Sequence, residues 1–379
     1  MIEPTLQRIR RAFIANFDER GEIGASVSLW EQGEEVLSLH RGVADAKNAI
    51  PWTEQTLIPI YSATKPASAA SFLLALHREG MTPDCPVGEI WPRFPAPYLS
   101  IGDVMSHQAG LATLARQASI FDLDDCIAAI EETRPAWLPP QHGYHPHTYG
   151  PLLDGMMRFL TGKRIGEFWE TEIRLPLGLD FYIGLPEAEF YRVGVLYPGK
   201  ADAAKLSTPF YEQYLRSGTA IHRAFNSVTG LASVHLMNMP HAWTSASPSS
   251  GGVASARGLA MFYQAVLGYG ASPVFPDEVL AWLRTPLVQG DDLTLLEQTA
   301  FTCGAMCDPL LPDGSPARHF YGTHGFGHTG AGGAHGFAAP RSGISFGYAM
   351  NAMELSVLPG EKTSALAHAV LLDENSPGL

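Results

Sequence analysis

Tyr61-Ser62-Ala63-Thr64-Lys65-Pro66 places a serine and a lysine at the Ser-x-x-Lys spacing. A serine hydroxyl is a weak nucleophile at its own pKa and needs a neighbouring base to take its proton. Lysine at i+3 can be that neighbour when the intervening residues are helical, because positions three apart share one helix face. The next stretch predicts such a helix. Ala69, Phe72, Leu73 and Leu76 repeat at i, i+3, i+4 and i+7, Pro66 suits a first turn and Gly80 a stop. Ser62 then lies at or near the helix N-terminus, where free N–H groups and the helix dipole favour developing negative charge. The chemistry on offer is acyl transfer through a covalent serine intermediate. The plain alternative is an N-cap serine and a solvated lysine, so the motif needs partners elsewhere in the chain.

Those partners are a proton acceptor and an oxyanion hole. Gly143-Tyr144-His145-Pro146-His147-Thr148-Tyr149-Gly150 offers Tyr144 and Tyr149. A tyrosine beside a lysine can act as a base, since the ammonium favours the phenolate. Packing aromatics in a turn would look the same. Gly327-His328-Thr329-Gly330-Ala331-Gly332-Gly333 would let an edge strand bring its backbone close to a ligand, and an ordinary tight turn is the competing explanation.

The elements that must position these groups follow from periodicity. Leu6, Ile9, Phe13 and Phe17 predict an opening amphipathic helix. Ala25–Trp30 and Glu35–His40 read as strands joined through Gly33. Between about Met81 and Gly252 the strand pattern fades into helical pieces (101–106, 123–133, 151–161, 165–173) and Pro/Gly-rich loops. Helix returns at 254–267, strands at 334–339 and 344–350, and a closing helix at 361–372. The expected fold class is α+β: an antiparallel sheet flanked by helices, built from residues 1–80 together with 254–379. Residues 81–253 would form an inserted, mainly helical lobe, with the active site in the cleft between.

Composition bounds the function. The chain has 379 residues, 46% of them hydrophobic and 17% charged, which suits a globular protein with a large core. Its net charge of −13 argues against nucleic acid or an anionic membrane as partner, since both want basic patches. The N-terminus lacks a charged-then-apolar signal pattern and no apolar run is long enough to span a bilayer, so the expectation is a cytoplasmic protein, or one from which a leader has been removed. The charge permits either a monomer or an oligomer. Cys85, Cys126, Cys303 and Cys307 are too few for a disulfide framework and read as free thiols.

Taken together, these segments resemble the serine β-lactamase and penicillin-binding-protein superfamily, and most closely its class C β-lactamase-like carboxylesterases, the family VIII esterases. The resemblance runs over nearly the whole chain. Besides Ser62-Ala63-Thr64-Lys65, it rests on Ser106-His107-Gln108-Ala109-Gly110-Leu111 at the Ser/Thr-His-x-x-Gly-Leu turn and Gly143-Tyr144-His145-Pro146 at the Tyr-x-Asn segment. Gly251-Gly252-Val253-Ala254-Ser255 matches the helix entry, and His328-Thr329-Gly330 falls on Lys-Thr-Gly.

The resemblance implies an antiparallel sheet beside a helical lobe and assigns roles. Ser62 would be the nucleophile, and Lys65 with Tyr144 the base that takes its proton and later activates water. The backbone N–H groups of Ser62 and Ala331 would form the oxyanion hole, while His328, Thr329 and Gly330 would bind substrate. No cofactor or metal is implied, and the partner is a small-molecule ester. Two departures bear on the substrate. Pro146 stands where β-lactamases have asparagine, and His328 where they have lysine. A lysine would hold a β-lactam carboxylate, whereas histidine is mostly neutral near pH 7, so neutral esters are favoured over β-lactams.

Other readings compete. A β-lactamase, D-amino-acid peptidase or transacylase would use the same groups with a different acceptor and pocket. An acyl-binding sensor could use the same fold without turnover. The histidine clusters 142, 145, 147 and 324, 328, 335 invite a metallohydrolase, but contain no Asp or Glu and no His-Glu-x-x-His. Gly343-Ile344-Ser345-Phe346-Gly347 has the form of a nucleophile elbow, yet lies inside an apparent strand rather than at a strand-to-helix turn. Acyl and alcohol specificity is expected from the loops around Phe121, Trp137, Trp243 and Tyr321.

Overall fold

The structure is a computed structural model that describes residues 3–200, 202–230, 233–270 and 273–372. The fold is α+β, an open antiparallel sheet flanked by helices. Among the described residues the main sheet has nine strands: β1 Gly24–Glu31, β2 Glu34–Asp45, β3 Ile50–Pro51, β4 Val288–Asp291, β5 Gln298–Phe301, β6 Met306–Cys307, β7 Phe326–Thr329, β8 His335–Ala339 and β9 Ile344–Met350. Their spatial order is β3-β2-β1-β9-β8-β7-β6-β5-β4. The first and last parts of the chain meet where β1 pairs with β9, Ala25 opposite Met350 through Glu31 opposite Ile344.

β9 explains how the sheet carries a core on each face. Phe346, Tyr348 and Met350 join Ile9, Phe13, Leu366 and Val370 in one cluster, under the opening helix Glu3–Asp18 and the closing helix Glu361–Leu371. The alternate residues Ser345, Gly347 and Ala349 are small because the Ala256–Val266 helix lies close on that side. A Cβ on Gly347 would stand 2.0 Å from Ala256 O. The pentapeptide that imitates a nucleophile elbow is therefore strand packing: Ser345 is fully buried and its hydroxyl donates to Ala260 O at 2.7 Å.

The Lys65–Arg78 helix departs from the expected one-sided pattern. Every residue from Lys65 to Leu76 is buried, so the helix runs through the core. Its alanines and serines let neighbours approach from all sides, and Ser68 Oγ donates to Pro248 O at 2.8 Å. Strands at Ile58–Pro59 and Phe181–Ile183 pair on either side of Gly252–Ala254, tying the segment before Ser62 to two distant stretches. β4 to β7 lack a clear period in sequence and are short. Among the described residues no helix is long and apolar enough to cross a membrane.

Candidate active site

Ser62 sits on a 3-10 turn, Tyr61–Thr64, that runs directly into the Lys65–Arg78 helix. Backbone geometry forces this turn. Tyr61 adopts φ +48°, a left-handed conformation that costs energy in a bulky residue and persists only when its surroundings impose it. The Gly252 segment does so. Ile60 N–H donates to Gly252 O at 2.9 Å, Gly252 N–H donates to Thr64 Oγ1 at 2.9 Å, and Thr64 Oγ1 donates to Tyr61 O at 2.6 Å. Only glycine fits at 252, since a Cβ would meet Thr64 Oγ1 at 2.4 Å.

Lys65 is fully buried. Its Nζ lies 3.0 Å from Ser62 Oγ, 2.8 Å from Pro146 O and 3.1 Å from Ser249 O. Its partners are uncharged oxygens, and burial pushes the amine well below the ordinary lysine range. The proline at the position where β-lactamases carry asparagine thus contributes its carbonyl. Ser249 is held in turn: its hydroxyl donates to His147 O at 2.5 Å and accepts from Gly150 N–H at 2.6 Å.

Tyr144 stands beside this pair. Lys65 Nζ is 4.9 Å from its ring centroid. The ring stacks on Phe301 at 6.2 Å and tilts against His107 at 5.1 Å. Its hydroxyl has no hydrogen-bond partner of good geometry among the described residues, although the Ser62 hydroxyl is near enough to ease its ionisation. The phenol and Ser62 Oγ are therefore neighbours without a formed bond. Burial outweighs the help and holds the phenol well above the usual tyrosine value. The expectation is that the Lys65 ammonium favours a Tyr144 phenolate; burial acts against both charged forms, lowering the lysine and raising the tyrosine. Tyr149, the other candidate, is buried at the start of the Tyr149–Thr161 helix and does not reach the cavity beside Ser62.

Asp292, which sequence reasoning missed, fixes Tyr144 in place. Its buried carboxylate accepts the Tyr144 N–H at 3.0 and 3.1 Å, Thr294 and Leu295 N–H at 2.8 Å each, and Thr299 Oγ1 at 3.0 Å. The bonds within 292–295 are a turn signature readable in sequence. The bond to Tyr144 is not, because nothing local announces it.

Ala331 completes the group. It follows β7 in a turn pressed against the Ser62 segment; a Cβ on Gly330 would stand 2.0 Å from Ile60 O. Gly330, Gly332 and Gly333 N–H groups are bonded within the turn or to Ser356 O, whereas the N–H groups of Ala331 and Ser62 have no backbone acceptor among the described residues. Ser62, Tyr144, Pro146 and Ala331 share the lining of one cavity of about 180 Å³. His328, Thr329 and Gly330, expected to bind substrate, are buried and are not among the residues that line it. The aromatic wall is also not the one expected. Phe121, Trp137, Trp243 and Tyr321 lie elsewhere, and the cavity meets Tyr61, Phe210, Tyr211, Tyr214 and Phe225.

The histidines are structural donors and acceptors. His145 Nε2 accepts from Leu111 N–H at 3.0 Å, which leaves Nδ1 to donate to Gly143 O at 2.8 Å. Burial pushes His145 and His328 down to about 3, so both are neutral. Among the described residues no group of three or more His, Cys, Asp or Glu is placed to hold a metal ion.

Comparison with known proteins places this arrangement. A family model described as Beta-lactamase matches residues 9–370. The Esterase/beta-lactamase LipL of Mycobacterium tuberculosis is 28% identical over 370 residues, covering 92% of this chain and 82% of that protein. The crystal structure of a family VIII carboxylesterase aligns with a TM-score of 0.83 and 27% identity over 98% of each chain. A penicillin-binding protein homolog from Caulobacter crescentus aligns with a TM-score of 0.78 and 28% identity over 96% of each chain.

Proposed function

This chain belongs to the beta-lactamase family, and within it we propose a serine hydrolase that cleaves carboxylic esters through an acyl-enzyme on Ser62. The observation that carries the reading is Lys65 Nζ at 3.0 Å from Ser62 Oγ, in a cavity shared with Tyr144 and Ala331.

A neutral Lys65 amine has two N–H bonds and one lone pair. Pro146 O and Ser249 O take the N–H bonds, so the lone pair faces the Ser62 hydroxyl. As Ser62 Oγ bonds to the ester carbon, its proton passes to Lys65. Negative charge builds on the carbonyl oxygen and is met by the N–H groups of Ser62 and Ala331, each free of other backbone acceptors. Tyr144, held protonated by burial, donates to the departing alkoxide as the C–O bond breaks and regains a proton from Lys65. Its missing bond to Ser62 Oγ suits a group that closes on substrate. Water then attacks the acyl-enzyme by the same route in reverse, releasing the acid. Gly330 acts by seating the turn that carries Ala331, with His328 and Thr329 buried behind it.

The substrate is a small uncharged ester. Among the described residues lining the cavity, the only formally charged side chain is Glu354, and its carboxylate accepts N–H groups of Glu361 and Lys362 at the head of the closing helix. None of these described residues is a cation that could hold a β-lactam carboxylate, and Glu354 would repel one. The test is turnover of short-chain esters by the wild type and by Ser62→Ala. Full loss in the variant supports the reading, and retained turnover removes it.

A further inference from the structure

Aromatic rings form one wall of the slot beside Ser62. Phe210 and Tyr214 come from the Pro209–Leu215 helix and Phe225 from the Ala220–Asn226 helix. Phe210 and Tyr214 lie nearly parallel at 5.9 Å, and Phe225 meets both edge-on, at 5.7 and 5.4 Å. His147 meets Phe225 edge-on at 6.0 Å, from the loop that also carries Tyr144 and Pro146. No residue of the Pro209–Leu215 helix is fully buried. Phe210 and Phe225 pack against the edge of a buried core cluster, and with Tyr214 they also turn surface toward the cavity.

The size of the space limits what fills it. The whole cavity, reacting end included, is about 180 Å³, against roughly 150 Å³ for an apolar cavity that takes up benzene, so it admits one ring and little more. Aromatic rings prefer offset or edge-to-face contacts with another ring, and this wall presents both faces and edges. Met353, Leu355 and Val357 add aliphatic lining to the same cavity.

We propose that this slot is a subsite for one aryl ring of the substrate, so that the preferred esters carry a benzyl or phenylacetyl-type group on one arm. The proposal rests on the ester-hydrolase reading above. Ring-to-ring contact favours an aryl group over a saturated ring of the same size by about two- to tenfold in kcat/KM.

The experiment compares matched pairs with the purified protein. Methyl phenylacetate against methyl cyclohexylacetate probes the acyl arm, and benzyl acetate against cyclohexylmethyl acetate the alcohol arm. Ethyl acetate, which leaves the slot empty, reports the reaction itself. The expected result is an aryl preference of about two- to tenfold on one arm, falling toward parity in Phe225→Leu, with Phe210→Leu as an independent second variant. Ethyl acetate turnover with no aryl preference on either arm overturns the subsite and leaves the ester-hydrolase reading standing. No turnover of any ester, with Ser62 unlabelled by a fluorophosphonate, overturns that reading and the subsite with it. An aryl preference unchanged in both variants also overturns the subsite.

Discussion

The Asp292 carboxylate holds the backbone N–H of Tyr144 from 148 positions further along the chain, at 3.0 and 3.1 Å. The bond joins the loop before β5 to the loop that carries the proposed general acid. Its effect on function is geometric. The Tyr144 hydroxyl has no side-chain tether of its own, so its direction depends on the backbone beneath it. Asp292→Asn keeps the shape but replaces one acceptor oxygen by an N–H₂ donor. Hydrogen bonds to charged groups are worth about 1.5–3 kcal/mol. The variant is expected to lose roughly tenfold in kcat with little change in KM. In a Tyr144→Phe background the additional loss should vanish, because the residue acts through that hydroxyl. Equal losses in both backgrounds would reassign Asp292 to stability alone.

Gly330→Ala tests the oxyanion hole without touching a side chain. The new Cβ would stand 2.0 Å from Ile60 O, so the turn must move and take the Ala331 N–H with it. Loss of one oxyanion donor costs about 10²–10³ in kcat, and a loss of that order is expected. A folded Gly330→Ala protein with near-normal kcat would show that Ala331 is not a donor.

The pH profile tests which group is the base. The proposed acylation step uses Lys65 as the free amine, and burial lowers its pKa. kcat/KM should therefore rise with pH as Lys65 loses its proton, with a midpoint well below the ordinary lysine value of about 10.4. Tyr144 is shifted upward, so it keeps its proton past the ordinary tyrosine value of about 10 and no falling limb is expected below that. His145 and His328, at about 3, do not titrate in this window. A rising limb at the ordinary lysine value would leave Lys65 charged at rest and remove it as the base.

Charge at the cavity sets the preference between esters and β-lactams. Among the described residues lining the cavity there is no cation, which forfeits a charged hydrogen bond of about 1.5–3 kcal/mol, roughly 10- to 100-fold. p-Nitrophenyl acetate or butyrate should exceed a cephalosporin in kcat/KM by at least that factor on one sample. Parity would show that a cation reaches the cavity.

What could be read in sequence was what is local. Ser62 and Lys65 are three apart, and Pro66 and the following helix announce their shared face, although the Gly252 segment and the Pro146 and Ser249 carbonyls hold it. Ser345 could be set aside because the alternation through Met350 marks a strand. Tyr144 and Ala331 depended on resemblance rather than spacing. What was illegible came from distance and from backbone. Pro146 and Ser249 act through carbonyls that any residue would carry. Asp292 acts on an amide far away in the chain. The helix after Ser62 shows one apolar stripe, yet its small residues let the core close on every side. Phe210, Tyr214 and Phe225 sit on helices only seven residues long, too short for a period to reveal which way they face.

The central claim is a covalent acyl-enzyme on Ser62. Mass spectrometry of the protein acid-quenched during ester turnover measures it directly. The account predicts one added acyl group, mapped to the peptide carrying Ser62, and neither adduct nor turnover in Ser62→Ala. An adduct on any other residue, or turnover that survives in Ser62→Ala, would contradict it.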